Sequence, residues 1–143
     1  SDNFNRATFM RANLYPAAAV LNIGNDILFN EEKIKVDRIT GHGGLFKTKG
    51  VGQRILSAAL NSPISVMETA GEGGAWGMAL LAGYLVNNPD KKTLPDYLDT
   101  VVFGGNAGES IMATPEEVEG FNRYIKNYID CLPIEKKAVE CKK

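Results

Sequence analysis

Two short β-type runs each break on a cluster of glycines, and a single helical stretch joins them. Val36 to Thr40 runs into Gly41-His42-Gly43-Gly44, and Ile64 to Met67 runs into a turn from Gly71 to Gly74. Between them, Val51, Ile55, Ala58 and Ala59 fall at helical spacing, until Asn61-Ser62-Pro63 ends the pattern. Two strands joined by a helix form a parallel βαβ unit with a right-handed crossover. This pattern predicts an α/β fold. Two strands make a thin sheet for 143 residues, so the unit reads as part of a larger sheet.

The rest of the chain supplies helices to cover it. From Phe4 to about Phe29 the apolar residues have helical spacing, and Pro16 predicts a kink or break near Leu14–Tyr15. Ala17 to Ile23 is apolar all round and is expected to be buried on more than one side. Ala75 to Val86 is a further helix, dense in small and apolar residues, while Asn87–Thr93 and Asp99–Ala113 read as loops. The clearest local signature opens the last helix. Thr114 suits the N-cap, Pro115 the first helical position and Glu117 the third position of a capping box. Val118, Phe121, Ile125, Tyr128, Ile129 and Leu132 then line one face. Residues 133–143, after Pro133, are expected to fray. The chain is expected to form one domain.

Composition removes several classes of function. Sixteen Lys and Arg against 17 Asp and Glu give a net charge of −1, which argues against nucleic acid as a partner. No apolar run approaches the roughly 20 residues that cross a bilayer. His42 stands alone as the single histidine, so a multi-histidine metal site is excluded. Cys131 and Cys141 have no metal-ligand spacing and are too few for a secreted disulfide scaffold. A reduced, cytoplasmic setting is expected.

The chemistry lies in the glycine turns. Where a strand hands over to a helix, exposed amides and the helix dipole favour a phosphate or the sugar of a nucleotide. A plain tight turn is the competing reading of Gly41 to Gly44. A dinucleotide fold would use Gly41 and Gly43 as its first two glycines and Glu68 for the ribose hydroxyls, but its third glycine position is Phe46. The P-loop pattern is absent, since no Gly-Lys is followed by Ser or Thr. Glu68 and Glu72 flank the second turn and could serve as paired carboxylates; solvated or helix-capping roles are the commoner use. His42 reads as a packing or hydrogen-bonding residue, and no Ser or Cys has a nucleophile's context.

The run from Asp37-Arg38-Ile39-Thr40-Gly41-His42-Gly43-Gly44 through Ala75-Trp76-Gly77-Met78-Ala79 resembles the FGGY carbohydrate kinases. In that family a strand ending in Gly-Gly opens the adenosine motif of the carboxy-terminal domain. A helix follows, then a strand introduced by Pro, then a small-residue helix. Here those pieces are Gly43-Gly44, Val51 to Leu60, Pro63-Ile64-Ser65-Val66 and Ala75 to Ala79. Arg6 to Ile27 looks like the helix that precedes the motif and Thr114 to Leu132 is similar to the family's closing helix, so the resemblance runs from about Phe4 to Leu132. Arg54 and Ala58 stand where the family often has Gln and Asp.

The resemblance implies an actin-like, ribonuclease H-like ATPase fold in a full-length enzyme that transfers the ATP γ-phosphoryl group to a sugar, such as the ketopentoses xylulose or ribulose. This chain would be the latter part of the carboxy-terminal domain, on the adenosine side of the cleft, with the catalytic residues in a missing amino-terminal domain. Gly43 and Gly44 would contact the nucleotide through their backbone, and Thr48 would neighbour the adenosine. Mg would arrive mainly on the ATP phosphates. No catalytic or metal-binding residue carries over, and a homodimer is left open. A free-standing nucleotide-binding or interaction module without kinase activity is the alternative.

Overall fold

A computed structural model describes residues 4–36, 38–104 and 108–141. The chain forms two compact units whose segments alternate along the sequence. One comprises Ser1–Asp37, Arg54–Ser62 and Met112–Lys143, and the other Arg38–Gln53 and Pro63–Ile111.

The first unit is helical. α1 (Arg6–Asp26) starts on Asn5, whose side chain accepts the Thr8 amide at 2.9 Å. It runs through Pro16 without a break. A proline removes one backbone donor, and the α1 residues next to it, Tyr15, Ala18 and Ala19, are held by tertiary packing. The expected all-round burial of Ala17 to Ile23 is corrected. Only Ala18 and Ala19 are buried there, whereas Val20 and Leu21 are exposed.

Against this strip lie Ala58 and Ala59 from α2 (Val51–Leu60) and Phe121 from α5 (Pro115–Glu140). Four alanines on two helices leave room for one large side chain, and the wholly buried Phe121 fills it. Tyr15 and Tyr124 flank its ring, their own ring centres 5.1 Å apart. Asn22 of α1 donates to the Ala59 carbonyl at 2.6 Å, satisfying an acceptor that the end of α2 would otherwise leave open.

The capping box of α5 forms as expected. Thr114 accepts from the Glu117 amide, and Glu117 Oε2 accepts from the Thr114 amide at 2.9 Å. Glu119 and Arg123 pair at 2.6 Å, one turn apart. The helix does not end near Leu132. It continues through Pro133 to Glu140, although every residue from Ile129 to Glu140 is exposed.

The second unit carries the sheet. β1 (Ile39–Gly41) pairs in parallel with β2 (Ile64–Val66), as a βαβ crossover requires. β2 also pairs antiparallel with β3 (Glu109–Ile111), in register Ile64↔Ile111, Ser65↔Ser110 and Val66↔Glu109. The sheet is therefore mixed, in the order β1-β2-β3. The predicted loop from Asp99 to Ala113 holds the third strand and one end of a wide helical turn, Leu98–Val102. That turn follows directly on α4 (Leu94–Tyr97). α3 (Gly73–Val86) sets Trp76 edge-to-face against Phe103 and Tyr84 edge-to-face against Tyr97.

Candidate functional site

At the carboxyl ends of β1 and β2 the two glycine turns meet. Each glycine of the first turn has a different physical reason to be there. Gly41 is buried, and the Phe46 ring lies on it so closely that any Cβ at position 41 would overlap the ring. Gly43 has φ +104°, a region that side chains disfavour. Its amide donates to the Ala70 carbonyl at 2.7 Å, and its carbonyl accepts from Phe46 at 3.0 Å. Gly44 is unlike both. It opens the tight turn Gly44–Phe46 at an ordinary φ, and a Cβ built there would meet nothing within 4 Å. The fold does not require glycine at 44.

Thr48 is exposed, its carbonyl accepting from the Val51 amide at 3.3 Å where α2 begins. His42 is exposed as well and stands beside Gly73, the first residue of α3.

The second turn, Glu68–Glu72, is a short tight helix anchored by the buried Ala70. Glu72 occupies the position before α3 but makes no cap there. Its carboxylate instead accepts from Lys47 Nζ at 2.7 Å. That hydrogen bond and the lysine's charge hold Glu72 below the ordinary carboxylate range. Glu72 thus stands ahead of α3, as the sequence suggests, and its side chain bridges to the first turn. Glu68 has a separate environment, bordering a cavity of about 340 Å³.

The cavity lies beside the tip of β2, between Phe46, Met67, Gln53 and Glu109. At one side Lys49 Nζ meets Glu109 Oε2 at 2.9 Å, and this hydrogen bond and charge raise the Lys49 pKa. Gln53 is its buried polar group. Nε2 donates to the Ile64 carbonyl at 3.0 Å and to the Glu109 carbonyl at 2.9 Å, tying β2 to β3. Sequence reasoning missed Gln53. The available signal was a polar pair, Gln53 and Ser57, one helical turn apart among the small apolar residues of α2. Gly43, Gly44 and Thr48 do not line this cavity; they sit on the adjoining turn, with Phe46 common to both features.

The family model for the C-terminal domain of the FGGY family of carbohydrate kinases matches residues 1–86. The chain belongs to the FGGY family. The match takes in α1, both glycine turns, α2, β1, β2 and α3, and stops short of α5, to which the resemblance extends. No curated protein and no solved structure gives a significant match.

FGGY membership assigns the glycine turns to a carbohydrate kinase in place of a dinucleotide-binding protein. Phe46, at the third fingerprint position, lies folded back onto Gly41, where the dinucleotide pattern has a glycine. The two glutamates of the second turn also lack a common task, Glu72 being bonded to Lys47 while Glu68 borders the cavity. Among the described residues, no group of three or more His, Cys, Asp or Glu side chains could hold a metal ion. No helix among them is long and apolar enough to cross a membrane.

Proposed function

We propose that this chain is the nucleotide-binding latter part of the C-terminal domain of a sugar kinase. The full-length enzyme, of actin-like ATPase fold, transfers the γ-phosphoryl group of ATP to a sugar hydroxyl in the cytoplasm. A ketopentose such as xylulose or ribulose is the proposed acceptor. The observation that carries the nucleotide assignment is Gly44. Packing accounts for Gly41 and backbone geometry for Gly43, but neither accounts for Gly44, whose α-carbon faces open space at the mouth of a strand-to-helix turn. Missing side-chain bulk at such a place lets a ligand approach the backbone.

Within this reading the two neighbouring glycines differ in role. The Gly43 amide is already committed to Ala70, so Gly43 shapes the turn while Gly44 presents the backbone to the nucleotide. Thr48, exposed four residues further on, offers a hydroxyl to the adenosine. Mg is carried mainly on the ATP phosphates. The catalytic groups and the sugar contacts are assigned to the preceding part of the enzyme.

The test is Gly44→Val in the full-length protein. It places two methyl groups where the nucleotide is proposed to lie and should weaken ATP binding about tenfold, or roughly 1.4 kcal/mol. The melting temperature should hold, since nothing in the fold occupies that space. Unchanged affinity in a folded variant would remove Gly44 from the site.

A further inference from the structure

The loop that carries Gly44 is held from the second glycine turn as well as by its own helix, and the holding contacts fall on both sides of it. On the amino-terminal side, the His42 Cβ lies where a Cβ on Gly73 would come within 3.3 Å, with His42 Nδ1 at 3.4 Å. In the middle, the Gly43 amide is fixed at 2.7 Å to the carbonyl of the buried Ala70. On the carboxyl-terminal side, Lys47 Nζ reaches Glu72 at 2.7 Å. The Lys47 stem lies over Gly71, whose added Cβ would stand 3.1 Å from Lys47 Cγ.

We propose that the second turn, Glu68–Glu72 with Gly73, sets the height at which the first turn presents Gly44 to the nucleotide, and that Gly73 and Lys47 are positioning residues for ATP. The inference rests on the reading that Gly44 meets the nucleotide. The Lys47–Glu72 pair is exposed at both ends and contributes little to stability by itself. What it constrains is geometry, because Lys47 closes the same turn that Gly44 opens. Gly73 acts through bulk. The His42 Cβ is fixed to the loop backbone and cannot swing aside, so a methyl group at 73 pushes the loop itself. Small misplacements of a ligand-holding group are costly in binding and rate.

Gly73→Ala is the informative substitution. Gly73 has helical angles (φ −52°, ψ −38°), and alanine is the better helix former, so α3 is preserved or strengthened. ATP affinity is measured by calorimetry on the full-length protein for Gly73→Ala, Gly73→Ala with His42→Gly, Lys47→Met and Gly44→Val, beside their melting curves. Gly73→Ala should weaken ATP binding about three- to tenfold in a protein that still folds with α3 intact. His42→Gly, which removes the opposing Cβ, should restore most of it, and a merely structural role would show no such rescue.

Unchanged affinity in Gly73→Ala, with Gly44→Val still defective, overturns the positioning role and leaves the nucleotide reading standing. Unchanged affinity in Gly44→Val sinks that reading, and this inference with it. Should Gly73→Ala fail to fold, Lys47→Met decides. It leaves the backbone intact, and normal ATP affinity in that variant overturns the proposal.

Discussion

The Phe46 ring rests on the α-carbon of Gly41, and the end of β1 is packed around that contact. Gly41→Ala therefore forces the aromatic ring out of its place. A destabilisation of about 1–3 kcal/mol is expected from overpacking, read as a lower denaturation midpoint. Phe46→Leu in the same chain should recover part of the loss. Full stability of Gly41→Ala alone would show that the ring moves freely.

Ser57 is wholly buried on α2, where its hydroxyl oxygen accepts the Ala113 amide at 2.8 Å and its proton points to the Met112 sulfur. Ser57→Ala leaves that amide buried without an acceptor, at a cost of about 1–3 kcal/mol. Urea titration of the two proteins measures it. A change under half a kcal/mol would mean that water replaces the hydroxyl.

Thr114→Ala removes one half of the capping box of α5. The expected loss is about 0.5–2 kcal/mol, with ATP affinity unchanged in the full-length enzyme. A loss of affinity at constant stability would place this end of the chain at the nucleotide.

The same box makes stability depend on pH. The Thr114 amide, bonded to the Glu117 carboxylate, is the main cause holding Glu117 below its ordinary range; burial opposes it and Arg54 assists. Because the folded value is depressed, the contribution is complete above the unfolded glutamate value, about pH 4.3. It fades as pH falls through the lower, folded value. Glu117→Gln should flatten the acid side of the stability curve. An identical acid limb in both proteins would count against the carboxylate's role.

The 143-residue chain alone should show no sugar-dependent release of ADP. Phosphoryl transfer needs a positioned acceptor hydroxyl and phosphates held in line, and holding both reactants can be worth about 7–11 kcal/mol of barrier. A coupled assay across ketopentoses, ketohexoses and polyols tests it. Turnover within about a thousandfold of an ordinary kinase's 1–100 s⁻¹ would place the catalytic centre in this chain.

Legibility in the sequence followed the range of the forces. The α5 cap was readable because Thr114, Pro115 and Glu117 act on one another within a single turn. The βαβ unit was readable because its glycines and Pro63 punctuate a repeating pattern. β3 was not, since Glu109-Ser110-Ile111 has no strand pattern of its own and becomes a strand only through its register with β2. Pro16 and Pro133 do not end their helices, for a related reason. Proline's local penalty is definite, yet α1 and α5 pass through both. At the site, the Gly-Gly turn was visible, whereas the Gly43–Ala70, Lys47–Glu72 and Gln53 bonds join residues far apart in sequence.

α3 has fourteen residues, none of them charged and none buried, and Leu85 and Val86 are each 81% exposed. Its consequence is colloidal. A helix hydrophobic all round is a core element by composition, so in dilute buffer the side of this one away from Phe103 and Tyr97 presents water with an uncharged apolar stripe. A net charge of −1 gives the molecules almost no mutual repulsion to keep such surfaces apart. Sulfate, which strengthens apolar association, should therefore raise light scattering from the chain at concentrations where chloride does not, and Leu85→Lys should delay the onset.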